Sequence, residues 1–531
     1  MSTITATTWV PRGFAAPYPQ KYDFDEDEYE RISKLAQLRL DDAKEDLGEA
    51  QDAADSDEPD SSAKRNGKAT KASITKQDDD DLKEYDLENY DNEDEPEVDD
   101  TMGMFANVKS LRYHESNDED PYITLKETDD DDEERQELQI LPTDNLLLAS
   151  KIEDEIAHLE IYVYEDEADN LYVHHDIMLP AIPLCVEWLD IPVGKDNVEK
   201  DSRGNFVAVG TFDPDIEIWD LDIIDCMYPN AILGQQGGAD KTKKKKNKKS
   251  KKTSDEYHVD AVLSLAANRN HRNLLASASA DTTVKLWDLN TAKCASSYSH
   301  HTDKVCTTAW HPQTSTVLLS GSYDRTVLAA DLRAPNATVP RWGVESDVET
   351  VRWDPHDPNY FYITTEAGIV HHHDARNAPA RPELSKPVWT LQAHDESVSA
   401  FDVNPIIPGF LATGSTDKEV KLWNVQASGP SLVVSRNPGV GKIFSTNFAP
   451  DAEVGFRLAV AGSQGTVQIW DTSTNAAIRK TFAHRVGPTD EEIKERFVGV
   501  ADESSESGSD EEEGAEENGA GQDGWESMDE D

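Results

Sequence analysis

A histidine followed 23 residues later by an aspartate occurs three times, as His258 and Asp281, His301 and Asp324, and His394 and Asp417. Six residues beyond each aspartate lies one further position, filled by Trp287, Ala330 and Trp423. Histidine and aspartate are residue types of acid–base catalysis. Three copies at one spacing point to a structural role instead. The carboxylate of Asp281 can accept from His258, the imidazole can bond a strand hydroxyl, Ser277 or Ser279, and the Trp287 indole can close the chain. Such a buried network stabilises only when every member is satisfied.

Other residues invite further chemistry. His371, His372 and His373 invite a metal reading. They fall on a predicted strand, where the first and third point to one side and the second to the other, so the three cannot converge on one ion. His174 and His175 are excluded as ligands on the same ground. Neither a glycine-rich phosphate loop nor an H-E-x-x-H helix occurs. Carboxylates are so abundant that any chosen pair says nothing. These readings predict a non-enzyme with no cofactor and no metal.

The remaining chemistry is ionic. "KTKKKKNKKSKK" holds nine lysines: Lys241, Lys243, Lys244, Lys245, Lys246, Lys248, Lys249, Lys251 and Lys252. Lysine runs of this kind are read by import receptors and bind RNA phosphates without sequence preference. They sit in a chain of 531 residues and net charge −55, of which residues 1–135 carry −25, residues 489–531 carry −16 and residues 136–488 only −14. The acidic ends cannot bury enough apolar surface to offset the entropy of ordering, so both are expected to be disordered. Short mixed segments, "LKEYDLENYD" and "SNDEDPYITL", read as docking elements in the first. Ser507 and Ser509 each have an acid three residues on, which suits kinases that prefer acidic substrates and makes both candidate phosphorylation sites.

The elements that hold these residues repeat. The unit "HVDAVLSLAANRNHRNLLASASADTTVKLWDL" reads as four short strands separated by polar turns, and its third-strand ending recurs seven times. The tryptophan slot is filled in turn by Tyr164, Trp219, Trp287, Ala330, His373, Trp423 and Trp470. This pattern resembles the WD-repeat family, which implies an all-β, single seven-bladed β-propeller with disordered acidic N- and C-terminal tails. The expected boundaries are 1–135 for the N-terminal tail, 136–488 for the propeller, starting at "LQILPTDNLLLAS", and 489–531 for the C-terminal tail. The interval from Trp219 to Trp287 is 68 residues, against 43 for the next, so residues 234–257 read as a lysine-rich loop inserted between blades 2 and 3.

Within that family, "ATTWV", "LYVHHDIMLPAIPLCVEWLD", "IEIWDLDIID" and the placed lysine insert are similar to the periodic-tryptophan group of nucleolar proteins. The resemblance implies a non-catalytic scaffold in ribosome biogenesis, serving pre-ribosomal RNA processing and large-subunit assembly. The partners it implies are pre-ribosomal proteins and pre-ribosomal RNA, with an import receptor for the lysines. Two other readings compete. A chromatin factor would hold histones on its propeller face and acidic tails. A cullin-type ubiquitin ligase receptor would use "ADLR" and "HDAR", which end at Arg333 and Arg376. The four cysteines form no C-x-x-C pair and no apolar run reaches the ~18 residues of a membrane span. The start of the chain lacks the apolar core of a secretory signal. The expectation is an intracellular protein of the nucleus and nucleolus, monomeric within a larger assembly and not bound to membrane.

Overall fold

The computed structural model describes residues 2–22, 32, 136, 138–193, 203–234, 254–334, 337–482 and 494–500. Among them, 28 strands form seven four-stranded antiparallel sheets. Blade 1 runs from its innermost strand Ser2–Val10 through Asn145–Glu153 and Ile156–Glu165 to Asn170–Leu179. Blade 2 contains Pro183–Leu189, Phe206–Thr211, Ile216–Asp220 and Ala231–Leu233. Blade 3 contains Val262–Ala267, Leu274–Ser279, Val284–Asp288 and Lys293–Tyr298. Blade 4 contains Val305–Trp310, Val317–Ser322, Thr326–Asp331 and Arg341–Gly343. Blade 5 contains Val348–Trp353, Tyr360–Thr365, Ile369–Asp374 and Trp389–Gln392. Blade 6 contains Ala400–Val403, Phe410–Gly414, Val420–Gln426 and Gly429–Arg436. Blade 7 contains Ile443–Phe448, Arg457–Gly462, Val467–Asp471 and Arg496–Gly499. The seven slot residues fall one per blade, each on the third strand.

Two boundaries differ from the sequence expectation. Residues 2–10 are not tail but the innermost strand of blade 1, and "LQILPTD" opens no strand. Three strands precede Pro183 in the contiguous sequence, and the fourth is supplied by the β-branched run Ser-Thr-Ile-Thr-Ala-Thr-Thr-Trp-Val, which suits a pleated surface. Its pairing with Asn145–Glu153 is broken by a bulge between Ile4 and Ala6. The same irregularity marks the innermost strands of blades 2, 3, 4, 5 and 7. Trp9 Nε1 donates to the Asn447 carbonyl of blade 7 at 3.0 Å, as Trp310 does to Ala266 at 2.9 Å and Trp353 to Ala309 at 3.2 Å. Residues 2–10 thus perform in blade 1 what the equivalent strands perform elsewhere. At the other end, Arg496–Gly499 completes blade 7, so the propeller runs past residue 488. Apart from residues 11–22, 32, 494, 495 and 500, the rest of the two tails, including both docking segments, Ser507 and Ser509, lies outside the described residues.

Strand direction decides where the connections emerge. In each antiparallel blade, the turn between the second and third strands and the link to the next blade leave on one face. The turns between first and second strands leave on the other. The lysine insertion, rooted at Gly234 and Ser254, belongs to the first face. The connection from Val10 to Asn145 leaves and returns on the opposite face. There, residues 11–22 continue under blade 2: Gln20–Lys21 pairs in parallel with Ile223–Ile224, and Phe14 packs edge-on against Trp188 at 4.7 Å.

Candidate functional site

The three His–Asp pairs come together as the spacing predicted. In blade 3, His258 Nδ1 lies 2.9 Å from Asp281 Oδ2, and Nε2 lies 2.7 Å from Ser277 Oγ. Trp287 Nε1 donates to the same hydroxyl at 2.8 Å. Ser279 takes no part in this chain; its hydroxyl donates to the Asp260 carbonyl. With a neutral imidazole, Nδ1–H donates to the carboxylate, the serine hydroxyl donates to Nε2, and the indole donates to a lone pair of the serine. Burial supports that state by pushing the His258 pKa below its ordinary value. Burial opposes the Asp281 charge, but hydrogen bonds from His258 and Thr283 outweigh it and hold the carboxyl down at about 2. Ser277 is wholly buried and capped by tryptophan, so its hydroxyl meets no substrate.

The other blades show which members can be dropped. In blade 6, His394 bridges Asp417 at 2.7 Å and Thr413 Oγ1 at 2.8 Å, and Trp423 Nε1 donates to that hydroxyl at 3.0 Å. In blade 4, His301 bridges Asp324 at 3.0 Å and Ser320 at 2.9 Å, and Ala330 leaves the indole out. Trp219 and Trp470 are buried in the same slot of blades 2 and 7, but Val209 and Val460 stand where Ser277 stands in blade 3. Their indole N–H groups consequently have no partner among the described residues. These tryptophans hold their blades by packing alone.

His371 and His373 share a side of their strand and His372 takes the other, as alternation requires. His371 Nε2 bonds Glu345 at 3.0 Å. His372 stacks against Tyr360, Tyr362 and Trp389, and His373 stacks on Phe361. Burial drives the pKa of His372 down to about 4 and that of His373 to about 3. His174 and His175 face each other through their Nδ1 atoms at 2.8 Å, so one donates and the other accepts. Among the described residues no group of histidine, cysteine and acidic side chains is placed to hold a metal ion. All four cysteines are free thiols.

The open surface of the ring is its central channel, a cavity of about 370 Å³ walled by the innermost strands. Residues of the N-terminal strand, Thr5 to Thr8, form part of that wall, a contribution visible in the sequence only as the match of Trp9-Val10-Pro11 to Trp310-His311-Pro312 and Trp353-Asp354-Pro355. Near the face that carries the lysine insertion, Glu349 lines the channel and accepts from Ser397 Oγ at 3.0 Å. Burial raises its pKa, and the neighbouring charges of Glu366 and Asp347 raise it further. Burial and the Glu349 charge likewise push the Tyr323 phenol up to about 12. This crowding of negative groups favours a cationic ligand at the mouth. On the same face the root of the lysine insertion is fixed, because the wholly buried Lys285 donates through Nζ to the Ser254 carbonyl at 2.6 Å. The lysines themselves lie outside the described residues. On the opposite face, Arg333 and Arg376 each turn back onto an aspartate two residues earlier, Asp331 and Asp374, at 2.7 and 2.8 Å. Among the described residues no helix is long and apolar enough to cross a membrane.

Comparison with known proteins agrees with this geometry. The WD domain, G-beta repeat family matches residues 250–288, 292–328 and 385–424, the three blades that own a His–Asp pair. An uncharacterised WD repeat-containing protein of Schizosaccharomyces pombe is 51% identical over 94% of this chain and 95% of its own length. Periodic tryptophan protein 1 of Saccharomyces cerevisiae is 40% identical over 90% of this chain and 89% of its own. Its Drosophila melanogaster homolog is 31% identical over 90% and 96%. Likeness of this extent runs through the ring and the segments around it, and the chain belongs to the periodic tryptophan protein 1 family of WD-repeat proteins.

Proposed function

We propose that this protein is a non-catalytic scaffold of ribosome biogenesis, acting in the nucleolus in pre-ribosomal RNA processing and assembly of the large subunit. The observation that carries the reading is the division of charge about the ring. A block of nine lysines is rooted on one face of an acidic propeller, while the connection that holds most of the acid of residues 1–135 departs from the other. RNA phosphates and an import receptor suit the lysines. Basic proteins, such as ribosomal proteins awaiting RNA, suit the acidic segments and the channel mouth at Glu349. Rooting the two on opposite faces allows one molecule to hold a basic protein and touch RNA without neutralising itself. Phosphate on Ser507 and Ser509 would add about −1.5 to −2 charges each and strengthen the hold on basic partners.

The test is replacement of Lys243 to Lys246, Lys248 and Lys249 by serine in the full chain. The melting temperature stays unchanged, because a surface loop adds little to the core. The protein shifts from nucleolus to nucleoplasm or cytoplasm, and its RNA affinity loses salt dependence by roughly 0.7 in log–log slope per lost single-strand phosphate contact. Unchanged localisation together with an unchanged slope defeats the assignment of the lysines.

A second reading draws on the acidic channel mouth, which suits histone tails as well as ribosomal proteins. Co-purification with nucleosomes, insensitive to RNase, favours it over the ribosomal one.

A further inference from the structure

Blade 4 is hollow where its sisters are filled. The two residues before the closing aspartate of the third strand are Ile218-Trp219, Leu286-Trp287 and Ile469-Trp470 in blades 2, 3 and 7, and Ala329-Ala330 in blade 4. Beside Ala329 lies a cavity of about 330 Å³ between blades 4 and 5, walled by Val339, Pro340, Trp342, Trp353 and Ala375. Trp342, itself buried, gives the cavity an aromatic wall. Arg376 stands at the rim, and Arg333 grips Asp331 there. Each guanidinium holds its aspartate through Nε and Nη2, and both arginines are exposed, at 66% for Arg333 and 60% for Arg376. On a molecule this acidic, an apolar hole beside two exposed arginines fits an aromatic side chain flanked by carboxylates.

The chain contains one such segment. Of eleven tryptophans, ten lie in propeller strands; the eleventh, Trp525, stands in "QDGWESMDED". We propose that Trp525 of this segment inserts into the cavity beside Ala329, with the adjoining Asp523 and Glu526 on Arg376 and Arg333. The 25 residues from Val500 to Trp525 reach up to roughly 80 Å when extended, about four times the length of a six-residue strand. Tethering supplies an effective concentration of about millimolar, so even a weak contact is largely formed. The closed state keeps the acidic segment on the ring and off basic partners.

The test uses the full-length chain and a fluorescein-labelled peptide of residues 519–531. The peptide binds the Trp525→Ala chain, whose own tail cannot compete, and binds the wild-type chain at least about tenfold more weakly. Ala329→Leu in the Trp525→Ala background removes binding while leaving the circular dichroism melt in place, and Arg376→Glu weakens it. If Ala329→Leu lowers the melt, Arg376→Glu alone decides. Equal binding to the wild-type and Trp525→Ala chains overturns the proposal, as does undiminished binding to both cavity variants. A Trp525-dependent dimer in light scattering also overturns it, since a second copy then fills the seat.

Discussion

Ser277 is the residue on which two ring nitrogens of blade 3 depend, the acceptor His258 Nε2 and the donor Trp287 Nε1. Its replacement by alanine strands His258 Nε2 and Trp287 Nε1 together, each at the ~1–3 kcal/mol cost of an unsatisfied buried group. Urea denaturation of Ser277→Ala is therefore expected to show a loss of about 2–5 kcal/mol. Ser320→Ala in blade 4, where Ala330 leaves no indole to strand, should lose about half as much. Equal losses at the two sites would remove the indole from the network. A second expectation follows from the buried histidines. Burial lowers the pKa of His372 to about 4 and His373 to about 3, below the ordinary value of 6.5. The unfolded chain then binds more protons than the folded one between pH 6.5 and about 4, so stability is full above 6.5 and falls as pH falls through that window. At pH 5 the loss is roughly 2 kcal/mol per histidine. His373→Phe keeps the stack on Phe361 and should flatten the pH dependence of the melt between pH 5 and 7; an unaltered slope would place the titration elsewhere. The His–Asp–Ser–Trp chain was legible in the sequence because three copies share one spacing. The choice of Ser277 over Ser279 was not, since the two share one side of their strand and only the position of the histidine along that strand decides between them.

Elements show the same division between what a sequence displays and what only pairing decides. The third strands were legible because a large residue or its replacement recurs before an aspartate or its equivalent in each of seven units. The first strand of blade 1 escaped because 134 residues separate Val10 from its partner strand, and contiguity is the rule that repeats usually obey. Its Trp-x-Pro ending carried the signal, shared with blades 4 and 5. Arg496–Gly499 escaped because it stands among the acids that open the C-terminal tail. Hence the N-terminal strand is expected to be structurally indispensable. Trp9 is buried, packs edge-on to Tyr164 at 6.2 Å and bonds blade 7, so Trp9→Ala should cost about 3–5 kcal/mol. Deleting residues 2–10 leaves blade 1 three-stranded and its neighbours without a wall, and should abolish cooperative unfolding by circular dichroism. A truncated chain that melts at the wild-type temperature would contradict this assignment. The join between blades 7 and 1 is further braced by Arg457, which reaches Asp166 and Asp471.

At the scale of the molecule, a closed ring leaves no long sheet edge, and its connections sort by face. That sorting roots the lysine insertion and the long N-terminal connection on opposite faces of the ring. The charge blocks were plain in the sequence, but their faces were not, because a face follows from strand direction and blade membership. Under the proposed function, opposite roots let the cationic block and the acidic connection of one chain engage different partners. The most direct test is sucrose-gradient sedimentation of nuclear extract, with and without RNase, comparing the wild-type chain with the variant carrying serine at Lys243 to Lys246, Lys248 and Lys249. The wild-type protein is expected in the large pre-ribosomal fractions, to leave them after RNase, and to be depleted from them in the lysine variant. Wild-type protein that remains in light fractions, or travels with nucleosomes regardless of RNase, would contradict the account.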